Sequence, residues 1–191
     1  MSKPRDHQKR EAIFTATLSL VLQTGFAGLR MADVAKKAGV ATGTVYKYFP
    51  SKESLIDELF LHQKEIKIKE MSEGFVAGEP FHTSFVRMWR NYFKGCIRNP
   101  ERMIFIEQFY KSPFISDETR FKAEEMLKPL ENLLQSAVQQ QIIIDMPVPV
   151  ILSQLMGAAN EIAKYHIDSG IPPGPGQLEQ YTEMGWNSIR K

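Results

Sequence analysis

Apolar residues recur along this chain three and four positions apart, the spacing of helices with one buried face. Over residues 5–24 that stripe is Ile13, Ala16, Leu20 and Val21, and Gly25 is predicted to end the helix. A short helix follows with Met31, Val34, Ala35 and Ala38 on one face. Gly39 breaks it, Val40 is an apolar spacer, and a second short helix over 42–48 holds Val45 and the adjoining Phe49 for the core. Pro50-Ser51 predicts a restart, with Ser51 as N-cap and Glu53 in the first turn. The fourth helix carries Leu55, Ile56, Leu59 and Phe60 onward through Ile66, and the stretch 74–80 ends it. A fifth helix, 81–98, turns Phe81, Phe85, Met88, Trp89, Tyr92, Phe93 and Cys96 inward. Asn99-Pro100-Glu101 is a helix start, and the sixth helix to about 111 is apolar nearly all round, hence buried. The seventh runs from Ser116 to about 140, with Pro129 expected to kink or split it. Residues 142–145 have strand composition but no partner strand in the sequence, and are read as a connection. An eighth helix from Pro147 or Pro149 to about 169, a Pro/Gly loop over 170–176, and a ninth helix with Leu178, Tyr181, Met184, Gly185, Trp186 and Ile189 close the chain. The expectation is an all-α protein of about nine helices.

The pair at 31–49 carries the chemistry. Two short helices around a Gly-containing turn form a helix-turn-helix, whose second helix enters the major groove of DNA while the first crosses the backbone. The second helix here is rich in hydroxyls, has Lys47, and holds no acid. Charge points the same way. Residues 1–52 hold Lys3, Arg5, Lys9, Arg10, Arg30, Lys36, Lys37, Lys47 and Lys52 against Asp6, Glu11 and Asp33, a net +6. With +2 for the whole chain, the rest carries −4. A basic N-terminal third on a mildly acidic remainder fits a nucleic-acid module joined to a ligand or partner domain.

Several fixed points extend beyond the motif: Ile13 and Ala16, Gly25-Phe26, Asp33-Val34-Ala35, Ala38-Gly39-Val40, Gly43-Thr44, Tyr46, Tyr48-Phe49 and Ser51-Lys52. Over roughly residues 9–60 the chain thus resembles the TetR/AcrR family of bacterial transcriptional regulators. The resemblance implies a three-helix DNA-binding domain at 1–52 and a helical ligand-binding and dimerisation domain at 53–191. It further implies a homodimer on a palindromic double-stranded DNA operator, repression as the sign, and release by a small-molecule effector. By position it assigns DNA contact to Thr42, Gly43, Thr44, Tyr46, Lys47, Tyr48 and Lys52. Arg30 joins them by charge, where the family often has a Ser or Thr cap. The family's Ser ahead of the recognition helix is Ala41 here, which supplies no side-chain cap, a loss on the order of 1 kcal/mol. The dimer interface is placed on the last two long helices, with Ser153, Gly157, Met156, Tyr181 and Trp186 as candidates.

An effector pocket is sought among the aromatics and methionines of 81–126: Trp89, Tyr92, Phe93, Phe105, Phe109, Tyr110, Phe121 and Met126. Their density suits an apolar or amphipathic ligand and equally suits an ordinary core. Asn160, in an apolar helix, needs a partner if buried; Arg90, Gln108 and His166 are further polar candidates.

Other classes find little support. No apolar run is long enough to cross a membrane, and the polar N-terminus is not expected to be a signal peptide. The single Cys96 is compatible with the cytoplasm. No Gly-rich phosphate loop, HExxH or CxxC pair is present, the four histidines are scattered, and no catalytic residue, metal or cofactor is assigned. The alternative is a helical small-molecule carrier or partner-binding module without DNA binding.

Overall fold

The computed structural model describes the backbone from Lys3 to Lys191 and the side chains from Asp6 onward. Lys3 and Arg5, counted in the basic N-terminal third, and the start of the first domain at residue 1 therefore lie outside the described residues or side chains. Among the described residues there are ten helices: α1 (Lys3–Gly28), α2 (Met31–Ala38), α3 (Thr42–Tyr48), α4 (Lys52–Met71), α5 (Phe81–Arg98), α6 (Pro100–Tyr110), α7 (Asp117–Glu125), α8 (Lys128–Gln139), α9 (Val148–Ser169) and α10 (Gln177–Asn187).

The chain divides into two compact units. One holds the chain up to Lys64 together with Glu101–Ala123, and the other holds Glu65–Pro100 and Glu124–Lys191. The division falls within α4. Leu55, Ile56, Leu59 and Phe60 are fully buried in the first core, so the start of α4 packs with α1–α3.

In the first unit the core is built on Phe14, Phe49, Phe60 and Phe105, each buried to within 1% of completely. Burying such a ring contributes about 1.5–3 kcal/mol. Phe14 lies 5.3 Å from Phe49 and stacks on His62 at 4.7 Å. Arg10 covers both phenyl rings at 5.2 and 5.5 Å and pairs with Glu58, which fastens α1 to α4. Gly25 has φ 68° and ψ 174°, so the regular helix of α1 breaks there and a short turn completes the element. Gly39, at φ 68°, caps α2 in the left-handed region, which its missing Cβ allows.

In the second unit α5, α8, α9 and α10 bury one face each. Trp89 and Phe93 stack at 5.6 Å, and Tyr181 meets Phe93 edge-on at 5.7 Å. His166 is buried, with Nδ1 2.7 Å from the Ile171 carbonyl oxygen and Nε2 3.0 Å from the Tyr181 hydroxyl, pinning the Pro/Gly loop to α9 and α10. Two departures from the sequence reading are informative. The expected seventh helix is two, broken at Met126-Leu127, with Pro129 in the first turn of α8 where no N–H is needed. The connection at 142–145 does have a partner. Ile143 bridges antiparallel to Arg190, and the Ile144 N–H donates to the Ile189 carbonyl at 2.7 Å. That partner is a short chain end directly after a helix, which shows no two-residue alternation in the sequence.

Candidate DNA-contacting face and apolar cavity

The turn from α2 to α3 sets out a polar face. Val45 and Phe49 are completely buried, and this orients the rest of α3 outward. Thr42, Gly43 and Lys47 are exposed, Thr44 is half-buried, and Tyr46 is 50% exposed, so its ring is not core. No atom lies within 4 Å of where a Gly43 Cβ would stand, so the backbone there is open to close approach. Ala41 is the N-cap of α3 and makes no side-chain cap bond; Arg30, exposed and extended, holds the same position for α2, also without a cap. Ser51 does cap α4, its Oγ accepting from the Ser54 N–H at 3.0 Å.

Two of the long side chains at this face are held within the chain. The Tyr48 hydroxyl donates to Asp6 Oδ1 at 2.7 Å; that bond, with some burial and the Asp6 charge, pushes the phenol above its usual value. Lys52 Nζ donates to the Phe26 carbonyl oxygen at 3.0 Å and sits 4.2 Å over the Phe26 ring. Both groups are thereby held in place rather than trailing in solvent.

A second feature lies wholly within the other unit. A cavity of about 50 Å³ is lined by Met71, Phe81, Phe85, Met88, Trp89, Tyr92, Leu130, Leu133, Leu134, Leu152, Leu155 and Met156. Of the sequence candidates only Trp89 and Tyr92 line it. Asn160 adjoins it, its Oδ1 accepting from the Tyr92 hydroxyl at 2.9 Å. The other candidates need correction. Phe105 and Phe109 are core of the first unit, with Tyr110 packed against it. Phe93 is buried but turned to Tyr181, Phe121 is 62% exposed, and Met126 sits half-buried away from the cavity. Helical spacing identifies a buried face but not what it is buried against. The leucines of α8 and the methionines that do line the cavity lie on plain apolar stripes without any distinguishing mark. Of the further polar candidates, Arg90 pairs with Glu179 and Gln108 is exposed.

The residues named for pairing of two copies are scattered. Ser153 is exposed, and Gly157 has open space beyond it. Met156 lines the cavity, Tyr181 is tied to His166, and Trp186 packs on Phe81, Phe85 and His82. These last three are at least partly committed to their own chain. No group of three or more metal-ligating side chains occurs among the described residues, and no described helix is long and apolar enough to cross a membrane.

Comparison with known proteins identifies both ends of the chain. Residues 13–59 match the family described as bacterial regulatory proteins, tetR family, and residues 80–190 match the tetracyclin repressor-like C-terminal domain. The chain is 30% identical over 186 residues, 95% of each chain, to an uncharacterized HTH-type transcriptional regulator of Haemophilus influenzae. Over 75 residues, 39% of this chain and 37% of the relative, it is 35% identical to the HTH-type transcriptional repressor KstR of Mycolicibacterium smegmatis. The crystal structure of a TetR family transcription regulator from Marinobacter aquaeolei VT8 superposes with a TM-score of 0.91 at 23% identity, covering 98% of both chains.

Proposed function

The chain belongs to the TetR family of bacterial transcriptional regulators, and from that premise we propose that it is a ligand-responsive repressor that binds a palindromic operator as a homodimer in the cytoplasm. The family's proteins are regulators and not enzymes. The observation that carries the DNA reading is the face of α3. Thr42, Gly43, Tyr46 and Lys47 stand in solvent with no acid among them, while Val45 and Phe49 anchor the helix completely. Hydroxyls and amides suit base edges and phosphates, and Lys47 supplies charge to the backbone. Tyr48 and Lys52 flank them as phosphate contacts, and Arg30 adds charge from the start of α2. A recognition helix of seven residues reads few base pairs, so two copies about one DNA turn apart, ~34–36 Å, provide specificity.

The apolar cavity of the second unit is the effector site in this reading. Its volume of about 50 Å³ is far below the ~300–1,000 Å³ of a ligand-filled pocket. A ligand must therefore part the walls to enter, and Met71, Met88 and Met156 are flexible enough to re-pack around it. Met71 is the last residue of α4, whose first turns are buried against the DNA-reading unit. Effector binding that favours one placement of α4 over another gives the differential affinity that release from DNA requires.

The test is selection of genomic fragments by the purified protein, stripped of small molecules by unfolding and refolding, at near-physiological salt where non-specific contacts are weak. A palindromic motif is expected. The double variant Lys47→Ala, Tyr48→Ala is expected to lose at least tenfold in affinity for it while keeping its helical spectrum. A refolded wild type that enriches no sequence, or a double variant that binds unchanged, refutes the reading and leaves the ligand-carrier alternative.

A further inference from the structure

We infer that the cavity takes an amphipathic monoanion, an alkyl chain ending in a carboxylate, with the chain between the helices and the carboxylate at Lys67. The inference rests on the reading of this cavity as the effector site and adds the chemistry of what fills it.

The cavity is polarised lengthwise. Met71 on α4 and Met156 on α9 are part of its apolar wall. One turn away on the same helix faces are Lys67 and Asn160. Tyr92 belongs to both sets: its ring lines the cavity, while its hydroxyl accepts from Lys67 Nζ at 2.9 Å and donates to Asn160 Oδ1 at 2.9 Å. The ammonium also sits 4.3 Å over the Tyr92 ring, and the Cys96 thiol reaches Asn160 Oδ1 at 3.5 Å. Every other wall residue is apolar apart from the indole of Trp89. That indole N–H lies against Gly185 on α10. Apart from that buried indole N–H, which has no hydrogen-bond partner among the described residues, hydrogen-bonding capacity is gathered at the Tyr92 end.

The charge at that end selects the head group. A lysine ammonium only donates, and in half-buried surroundings its attraction to an anion exceeds what water would leave. An alcohol head satisfies the donors without matching the charge, and an ammonium head is repelled. Glu70, three residues along α4 from Lys67, has its Oε2 beside Gly95 on α5. In this proposal it is the carboxylate of the chain with which an incoming one competes for Lys67. From Phe81 to Tyr92 the α5 wall runs about 16 Å at 1.5 Å per residue, which suits a medium-length chain lying along the helix.

The experiment titrates the full-length protein, below micelle-forming concentrations, with dodecanoate, dodecanol, dodecyltrimethylammonium and dodecanoyl-coenzyme A. The readouts are tryptophan fluorescence, to which Trp89 in the cavity wall contributes beside Trp186, and release of the selected operator. Dodecanoate is expected to bind at least tenfold more tightly than dodecanol and to release DNA. Lys67→Met is expected to erase that preference, Lys67→Arg to retain it, and Glu70→Gln to tighten dodecanoate binding. Equal binding of acid and alcohol, tighter binding of the thioester than of the acid, or a preference that survives Lys67→Met overturns the carboxylate assignment while leaving the cavity as the effector site. If no chain of any head group binds, the effector-site reading falls with it. The wild-type comparison of head groups stands whether or not the variants fold.

Discussion

A missing methyl group at residue 185 decides where an indole can lie. Gly185 is buried on α10, and a Cβ built there stands 3.0 Å from Trp89 Nε1 and 3.2 Å from Cε2. A ring atom cannot swing aside as a flexible side-chain end does, and Trp89 is also stacked on Phe93. Gly185→Ala is therefore expected to destabilise the protein by about 1–3 kcal/mol, the range for overpacking a filled core. The check is the urea midpoint at unchanged slope, together with a shifted tryptophan emission. An unchanged midpoint means that α10 backs away without loss. The same residue-level argument explains the exposed face of α3. Tyr46 is displayed because Val45 and Phe49 are the residues buried, and Tyr48 is oriented because Asp6, 42 positions earlier, accepts a hydrogen bond from its hydroxyl. The first was open in the sequence, since a lone tyrosine on a short helix suits core or surface. The second was invisible there, because no spacing rule connects residues so far apart.

At the scale of elements, the helix ends were the most legible feature and the contacts between helices the least. Ser51 and Ser116 do accept backbone N–H bonds at the starts predicted for α4 and α7, from Ser54 and Thr119, and Gly39 does adopt the left-handed cap. Those signals act within four residues, and four residues of sequence contain them. What α6 packs against is a different kind of fact. Phe105 and Phe109 join the core of α1–α4, across more than forty residues of chain, and an apolar stripe alone does not say which core a helix joins. The entry to α5 shows how a local signal and a charge pair work together. Glu79 accepts from both Arg87 and Ser84, and these bonds, Arg87 first, hold its carboxyl below the usual carboxylate range against a smaller opposing effect of burial. A carboxyl whose folded pKa is depressed adds stability above its unfolded pKa, and that stability is lost as the pH falls through the folded value. Glu79→Gln is therefore expected to lower the melting temperature at pH 7. The gap to wild type should narrow below about pH 4, where the unfolded carboxyl is already protonated. A gap of constant size from pH 7 to pH 3 would show that Glu79 acts by packing and not by charge.

At the scale of the molecule, the proposed two-fold assembly needs a surface that the chain does not use for itself, and α9 offers one. Val150, Gln154, Ala158, Glu161 and Tyr165 are all exposed and recur at intervals of three and four, so they form one stripe along the helix. Tyr165 is 64% exposed and Met184 on α10 is 61% exposed, large apolar areas for a surface with no partner. The small residues Gly157 and Ala158 at its middle let a second helix approach closely. Of the interface candidates drawn from the sequence, Ser153 and Gly157 adjoin this stripe, while Met156 faces the cavity. The charge distribution makes the assembly matter for function. In the proposed mode of action the net positive charge of the first 52 positions attracts any phosphate backbone, and the joint placement of two α3 helices would confine that attraction to one site. Ala158→Arg places a long charged side chain at the centre of the proposed interface and leaves α3 unchanged. Sedimentation at micromolar concentration is expected to show a dimer for wild type and a monomer for the variant. Operator affinity should fall at least tenfold although every DNA-facing side chain is intact, and weak salt-dependent binding to random DNA should persist, because a monomer keeps its charges and loses only its partner. A variant that remains dimeric with full operator affinity would move the pairing surface off this face of α9.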